Sequence, residues 1–168
     1  MKEINIFGYI LVAVLFLSAI IMPLFETFFV YRERLMLGHA LYNSCRAAAE
    51  VSYNYTDMRN INALAREEEL REIFADTFAT SFGLNFAYMS GDILYFDTPN
   101  ELYNEFKVIL SIWYEISEYD ASKTITKIEA TAISPYKFKT AYMQTLNTGA
   151  GIFYELDVKR AYTMEVFN

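Results

Sequence analysis

The chain has 168 residues, with 14 Lys and Arg against 21 Asp and Glu, a formal net charge of −7, 14 Phe and 14 Tyr, and one each of Trp, Cys and His. The acidic balance excludes recognition of a phosphate backbone, which needs a concentrated basic surface, so no nucleic acid partner is expected. A single cysteine excludes an intrachain disulfide, and a single histidine excludes a multi-histidine metal centre built by one chain.

The run from Ile4 to Phe25 carries no charge and is dominated by Ile, Leu, Val, Phe and Ala, relieved only by Asn5, Ser18 and the small Gly8 and Ala13. As a helix it would be roughly 33 Å long, enough to cross a hydrocarbon core of about 30 Å. A signal-peptide apolar region is shorter and ends at a small-residue cleavage site, which is missing here. The segment is therefore expected to stay attached, as an anchor or as a packing helix among like chains. Lys2 lies on one flank and Arg32 and Arg34 on the other, so basic residues do not set an orientation.

Glu26 follows the run directly. A carboxylate at that depth is costly in lipid, so it is expected either to snorkel to the interface or to pair with a cation or the amino terminus of a neighbouring copy. Pro23 removes one helical bond and crowds the preceding turn, which predicts a kink or a melted turn near residues 19–23. From Arg32 to Asp57 good helix formers continue. Leu35, Gly38, Tyr42, Cys45, Ala49 and Ser52 recur at three- and four-residue steps, a face narrowing from large to small residues that lets another element approach closely.

A second amphipathic helix is predicted over residues 62–82, stopped by Gly83, with the acidic stretch Glu67-Glu68-Glu69 as a solvated face. Beyond Gly83 the pattern turns to strands. Asn85–Met89 and Ile93–Phe96 flank the turn signal Ser90-Gly91-Asp92, which predicts a hairpin. Thr98-Pro99-Asn100-Glu101 has the form of a helix start and predicts a short helix through about Phe106. Residues 107–117 fit either a helix or a strand. Their β-branched and aromatic content, and the matching alternation of Thr124–Ile133, favour a second hairpin with Lys123 and Lys127 near Glu115 and Glu118. Two more strands are predicted, about Tyr136–Leu146 and Ile152–Phe167. Residues 90–120 are strongly acidic and residues 121–168 mildly basic, a contrast that can steer neighbouring copies into register or, equally, pair across strands within one molecule.

No chemistry-bearing motif accompanies these elements. His39 and Cys45 are six residues apart, which on a helix turns them about 120° away from each other and disfavours a nucleophile pair. The Gly149-Ala150-Gly151 turn lacks the lysine and following helix of a phosphate loop. No catalytic set and no cofactor are expected, and the chain does not read as an enzyme.

The junction from Met22-Pro23-Leu24-Phe25-Glu26 through Arg46-Ala47-Ala48-Ala49-Glu50 resembles the N-terminal module of the TadE-like pseudopilins of tight-adherence (type IVb) pilus systems. There too an apolar span runs into an acidic residue and an aromatic, then into an arginine-containing helix with an Ala-rich end. Type IV prepilins place a glutamate five residues after the glycine of their processing site. Ala13 stands at that offset from Gly8, so cleavage by a prepilin peptidase is not expected here.

These readings predict an α+β fold, a long N-terminal transmembrane-type helix packed on a small antiparallel sheet. Residues 1–31 form the membrane or assembly helix, and residues 32–168 an extracytoplasmic domain with helices at 32–57 and 62–82 and a β-rich part at 84–168. Phe7, Gly8, Ala13, Pro23, Glu26, Arg32 and Arg34 are the positions expected to govern packing and seating of the helix. The resemblance implies a pilin-like subunit or assembly factor of a cell-surface filament, in contact with membrane lipid and with copies of itself or other pilin-like subunits. The residues alone also allow a single-span, membrane-anchored ligand-binding or sensor domain.

Overall fold

The computed structural model describes residues 3–52, 67–99, 103–116 and 123–167. Helix α1 (Glu3–Ser52) is one continuous helix of 50 residues, about 75 Å long. Helix α2 (Glu67–Phe82) packs along its second half. Five strands follow: β1 (Asn85–Ser90), β2 (Ile93–Asp97), β3 (Phe106–Ile116), β4 (Lys123–Pro135) and β5 (Glu155–Phe167), with helix α3 (Ala141–Ala150) between the last two. They form one antiparallel sheet in the order β1-β2-β3-β4-β5. The fold is α+β, a helical layer on one face of a sheet, as the alternation after Gly83 predicts.

The core lies between the helices and that face. Along β4, Thr126, Ile128, Ala130, Ala132 and Ser134 are buried in strict alternation, as the two-residue period of a half-buried strand requires. Ala130 and Ala132 are small, which lets α1 come close to the strand. On α1 the buried stripe runs Leu37, Leu41, Ser44, Cys45, Ala48, Ala49 and Ser52, tapering from leucine to small residues toward the helix end. Gly38 is buried too, and the Arg160 guanidinium of β5 lies where a side chain would stand. Phe74, Phe78 and Phe82 of α2 stack in a row and meet Phe96 and Phe106 edge-on. Phe78 is the hub, 5.0 Å from Phe96 and 5.9 Å from Phe74 between ring centroids.

Several expectations are corrected. Residues 19–23 stay helical: Pro23 forfeits one backbone bond, but the strong helix formers on both sides carry the helix through it, and the Thr27 hydroxyl donates to the Pro23 carbonyl at 2.9 Å. The predicted strand Tyr136–Leu146 is an extended stretch that buries Tyr136 and Phe138, followed by α3. Thr140 caps that helix, and Gly151, at φ 66°, ends it. The periodicity of residues 136–138 was genuine, but the cap four residues on decides the element. Residues 103–105 are not helical, and β3 begins at Phe106. Leu35 and Tyr42 are exposed, so the inward face is rotated from the predicted one. Lys127 pairs across the ladder with Trp113 rather than with Glu115, its ammonium 5.4 Å from the indole. The strand reading of residues 107–116 holds. The expected helix ends at residues 53–57 and 62–66, and Glu118, lie outside the described residues.

Because Phe78 is fully buried against four other rings, Phe78→Ala is expected to cost about 3–5 kcal/mol of unfolding free energy. Urea denaturation of the detergent-solubilised chain measures it. A loss below 1 kcal/mol would mean that this cluster is not the core.

Candidate functional site

Two features of α1 stand out: a bare apolar half, and the point where that half ends. From Ile6 to Phe25 every side chain is exposed except the half-buried Ser18 and Pro23. The helix is long and apolar enough to cross a membrane, and its most apolar stretch makes no burying contact with the described residues. An exposed column of Ile, Leu, Val and Phe on this scale exceeds the apolar patches that soluble monomers carry. Phe7, Gly8 and Ala13 all lie on it, and none of the described residues stands near Gly8.

At Glu26 the environment changes completely. Its side chain is only 3 % exposed. One carboxylate oxygen accepts from the Tyr136 hydroxyl at 2.8 Å and from the Lys139 backbone N–H at 2.8 Å. The other accepts from the Thr140 N–H at 3.0 Å and from the Thr140 hydroxyl at 2.6 Å. Thr140 is also the N-cap of α3, its hydroxyl oxygen accepting from the Met143 N–H. The carboxylate thus sits at the positive end of a helix and faces donors only, the partners that an ionised carboxylate, an acceptor alone, can use. This corrects the expectation for Glu26: it neither snorkels nor waits for a second copy, because its own chain supplies the donors.

Glu33 lies two turns further on the same face and is buried as well. The Lys139 ammonium reaches it at 3.1 Å and lies over the Tyr103 ring at 4.8 Å. Burial pushes the Glu33 carboxyl above the ordinary carboxylate range, an effect that Lys139 opposes and the nearby Glu26 charge reinforces. Its second oxygen has no hydrogen-bond partner among the described residues. It borders a cavity of about 250 Å³ together with Phe29, Arg32, Met36, Tyr103 and Lys139. Arg34 is exposed on α1, its guanidinium 5.6 Å from the centre of the Tyr154 ring. Burial, and then the bond to Glu26, raise the Tyr136 phenol well above its usual value.

Of the seven positions singled out from the sequence, Pro23, Glu26, Arg32 and Arg34 gather where the apolar half meets the domain, while Phe7, Gly8 and Ala13 lie along the bare half. Glu33, Tyr136, Lys139 and Thr140 were missed. Glu33 was legible as a second carboxylate seven residues after the first. The other three come from more than a hundred residues away, and the strand reading of residues 136–146 hid the cap. Cys45 is fully buried and its thiol is pushed up to about 12 by that burial, whereas His39 is exposed, so the two form no reactive pair. Among the described residues no cluster of three metal-binding side chains occurs.

No known protein family matches the chain, and no curated protein matches it. Among solved structures, a chain of the virus-like particle of bacteriophage PQ-465 is similar over 50 % of this chain and 63 % of its own length, with 14 % identity and a TM-score of 0.29. The match spans less than two thirds of that phage chain.

Glu26→Ala strands four donors, three of them on the segment that caps α3, and is expected to cost about 3 kcal/mol; Glu26→Gln, which keeps one acceptor, should lose roughly half as much. Equal stability of all three proteins in thermal unfolding would contradict the clasp. For Glu33 the folded carboxyl titrates above its unfolded value, so the folded state binds more protons in that window and stability falls as pH rises through it. Glu33→Gln should therefore gain on the wild type in Tm as pH rises through and beyond the ordinary carboxylate range. A gap that stays constant or reverses would show that the Lys139 pair outweighs desolvation.

Proposed function

We propose that the chain is a pilin-like structural subunit or assembly factor of a cell-surface filament, held by the N-terminal half of α1 in lipid or among sister helices, with the domain on the outer side. The observation that carries this reading is the division of one unbroken helix. Its first half is apolar and exposed, and its second half is the spine of the domain core. A rod built into the domain gives each subunit a fixed angle to its packing helix, which a repeating assembly needs and a tethered enzyme does not. The likeness of the first 55 or so residues to TadE-like pseudopilins supports the same reading.

The charges of β4 and β5 pair across the ladder within the molecule, Lys159 with Glu129 and Glu165 with Lys123, so the contrast of acidic and basic stretches is met at least partly inside one chain. A second reading, a membrane-anchored ligand-binding domain, draws on a groove of about 830 Å³ between α2 and the edge strand β1. It is lined by Ala75, Ala79, Phe86, Met89 and Leu94, and by Arg71, one of whose guanidinium nitrogens is buried without a partner among the described residues.

Electron microscopy of detergent-free surface preparations, with an antibody to the domain, tests the first reading. Labelled filaments are expected, and Glu26→Ala should reduce their number several-fold. A dispersed monomer that binds a small molecule in the α2–β1 groove would replace it with the second.

A further inference from the structure

We propose that the base of the domain, formed by α3 and the turn after it, rests on the bilayer surface, with Phe153 as the side chain that enters the acyl boundary. The inference rests on the reading of α1 as a span and adds a second, separate point of lipid contact.

Position comes first. Glu26 is the first residue past the charge-free run, and it is bonded directly to Lys139 and Thr140, the residue that caps α3. These bonds leave no slack, so α3 begins at the level where the span ends. If Phe25 marks the edge of the hydrocarbon, Glu26 and the start of α3 fall within a headgroup layer of about 5–7 Å.

The surface presented there suits that layer. Thr140 through Tyr154 contain no charged residue, and α3 turns Met143 partly onto the core. What it exposes is Tyr142, Gln144, threonines and small residues, followed by Ile152 and Phe153. Phe153 is 81 % exposed, more than any large apolar side chain of α1 from Ile6 onward. Uncharged polar groups with an aromatic among them are the composition of a membrane–water boundary.

Phe153 is also held in place. Gly151 ends α3 in the left-handed conformation with its N–H on the Asn147 carbonyl at 3.1 Å. The Asn147 side-chain amide donates to the Ile152 carbonyl at 2.6 Å, and the Tyr154 carbonyl accepts from the Tyr136 N–H at 2.8 Å. Residues on both sides of Phe153 are therefore fixed, and the ring projects from a braced turn. Lipid is favoured over a second copy as the occupant because the Glu26 bonds tie the start of α3 to the end of the exposed apolar half of α1.

The test uses the full chain in phosphatidylcholine nanodiscs, with nitroxide labels placed singly by Phe153→Cys, by Tyr142→Cys with Phe153 intact, by Leu15→Cys in the span and by Ser90→Cys at the exposed end of β1. Collision rates with oxygen and with a water-soluble nickel chelate are compared by power saturation. At positions 153 and 142 the nickel rate is expected to be several-fold lower than at 90 and the oxygen rate higher, approaching position 15. Rates at 153 and 142 equal to those at 90, with position 15 in lipid, overturn the proposal and leave the span intact. A watery position 15 overturns the span reading itself. Spectral broadening at 153 that disappears on dilution with unlabelled chain would assign the surface to a second copy, and also overturns the proposal.

Discussion

A carboxylate placed at the end of a charge-free helix must find donors, and the way Glu26 finds them shapes the whole molecule. Both of its oxygens are occupied by groups 110 to 114 residues further along the chain. The same contact fixes the start of α3, closes the connection between β4 and β5 over α1, and marks the level at which the bare apolar surface stops. Isolated ion pairs on a surface contribute little. The Glu26 carboxylate is instead buried and takes four charge-assisted hydrogen bonds from neutral donors, three of them on the two residues that lead into α3.

Above that junction, packing takes over. The taper of α1 from Leu37 and Leu41 to Cys45, Ala48 and Ala49 matches the small residues of β4 and the approach of Arg160 to Gly38. On the other side of α1, α2 adds a row of phenylalanines that fills the space over β2 and β3. Near the helix end, Arg46 and Glu50 pair at 2.8 Å, and Tyr42 meets Tyr162 edge-on, holding β5 to the outer flank of the rod. Glu33 is less well compensated: it is buried next to Glu26, with Lys139 and, to a smaller extent, the Arg32 charge set against the desolvation.

The two halves of α1 thus obey different solvents. Below Glu26 the surface is apolar with no partner among the described residues, and above it the same helix is covered by a sheet and a second helix. That division supports a role in which a rigid domain is presented at a fixed angle to lipid or to other helices. The lone thiol is buried and held far up in its titration range, and the histidine stands on the outside of the helix.

Composition and periodicity by themselves settled the apolar helix, its continuation past Arg32, the Gly83 stop, the Asn85–Phe96 hairpin and the strand character of residues 107–116, because each depends on a local pattern strong enough to outweigh its surroundings. The side of α1 that faces inward, the fate of Glu26 and the identity of residues 141–150 were decided only by tertiary structure. Leu35 and Tyr42 fit a plausible stripe, but the sheet covers the neighbouring one. Glu26 had an evident cost but no visible donor, since Tyr136, Lys139 and Thr140 become its partners only when β4 returns past α1. The alternation at Tyr136 and Phe138 could not reveal that the chain turns into a helix at Thr140, because that cap is completed by a carboxylate which the sequence places at the far end of the molecule.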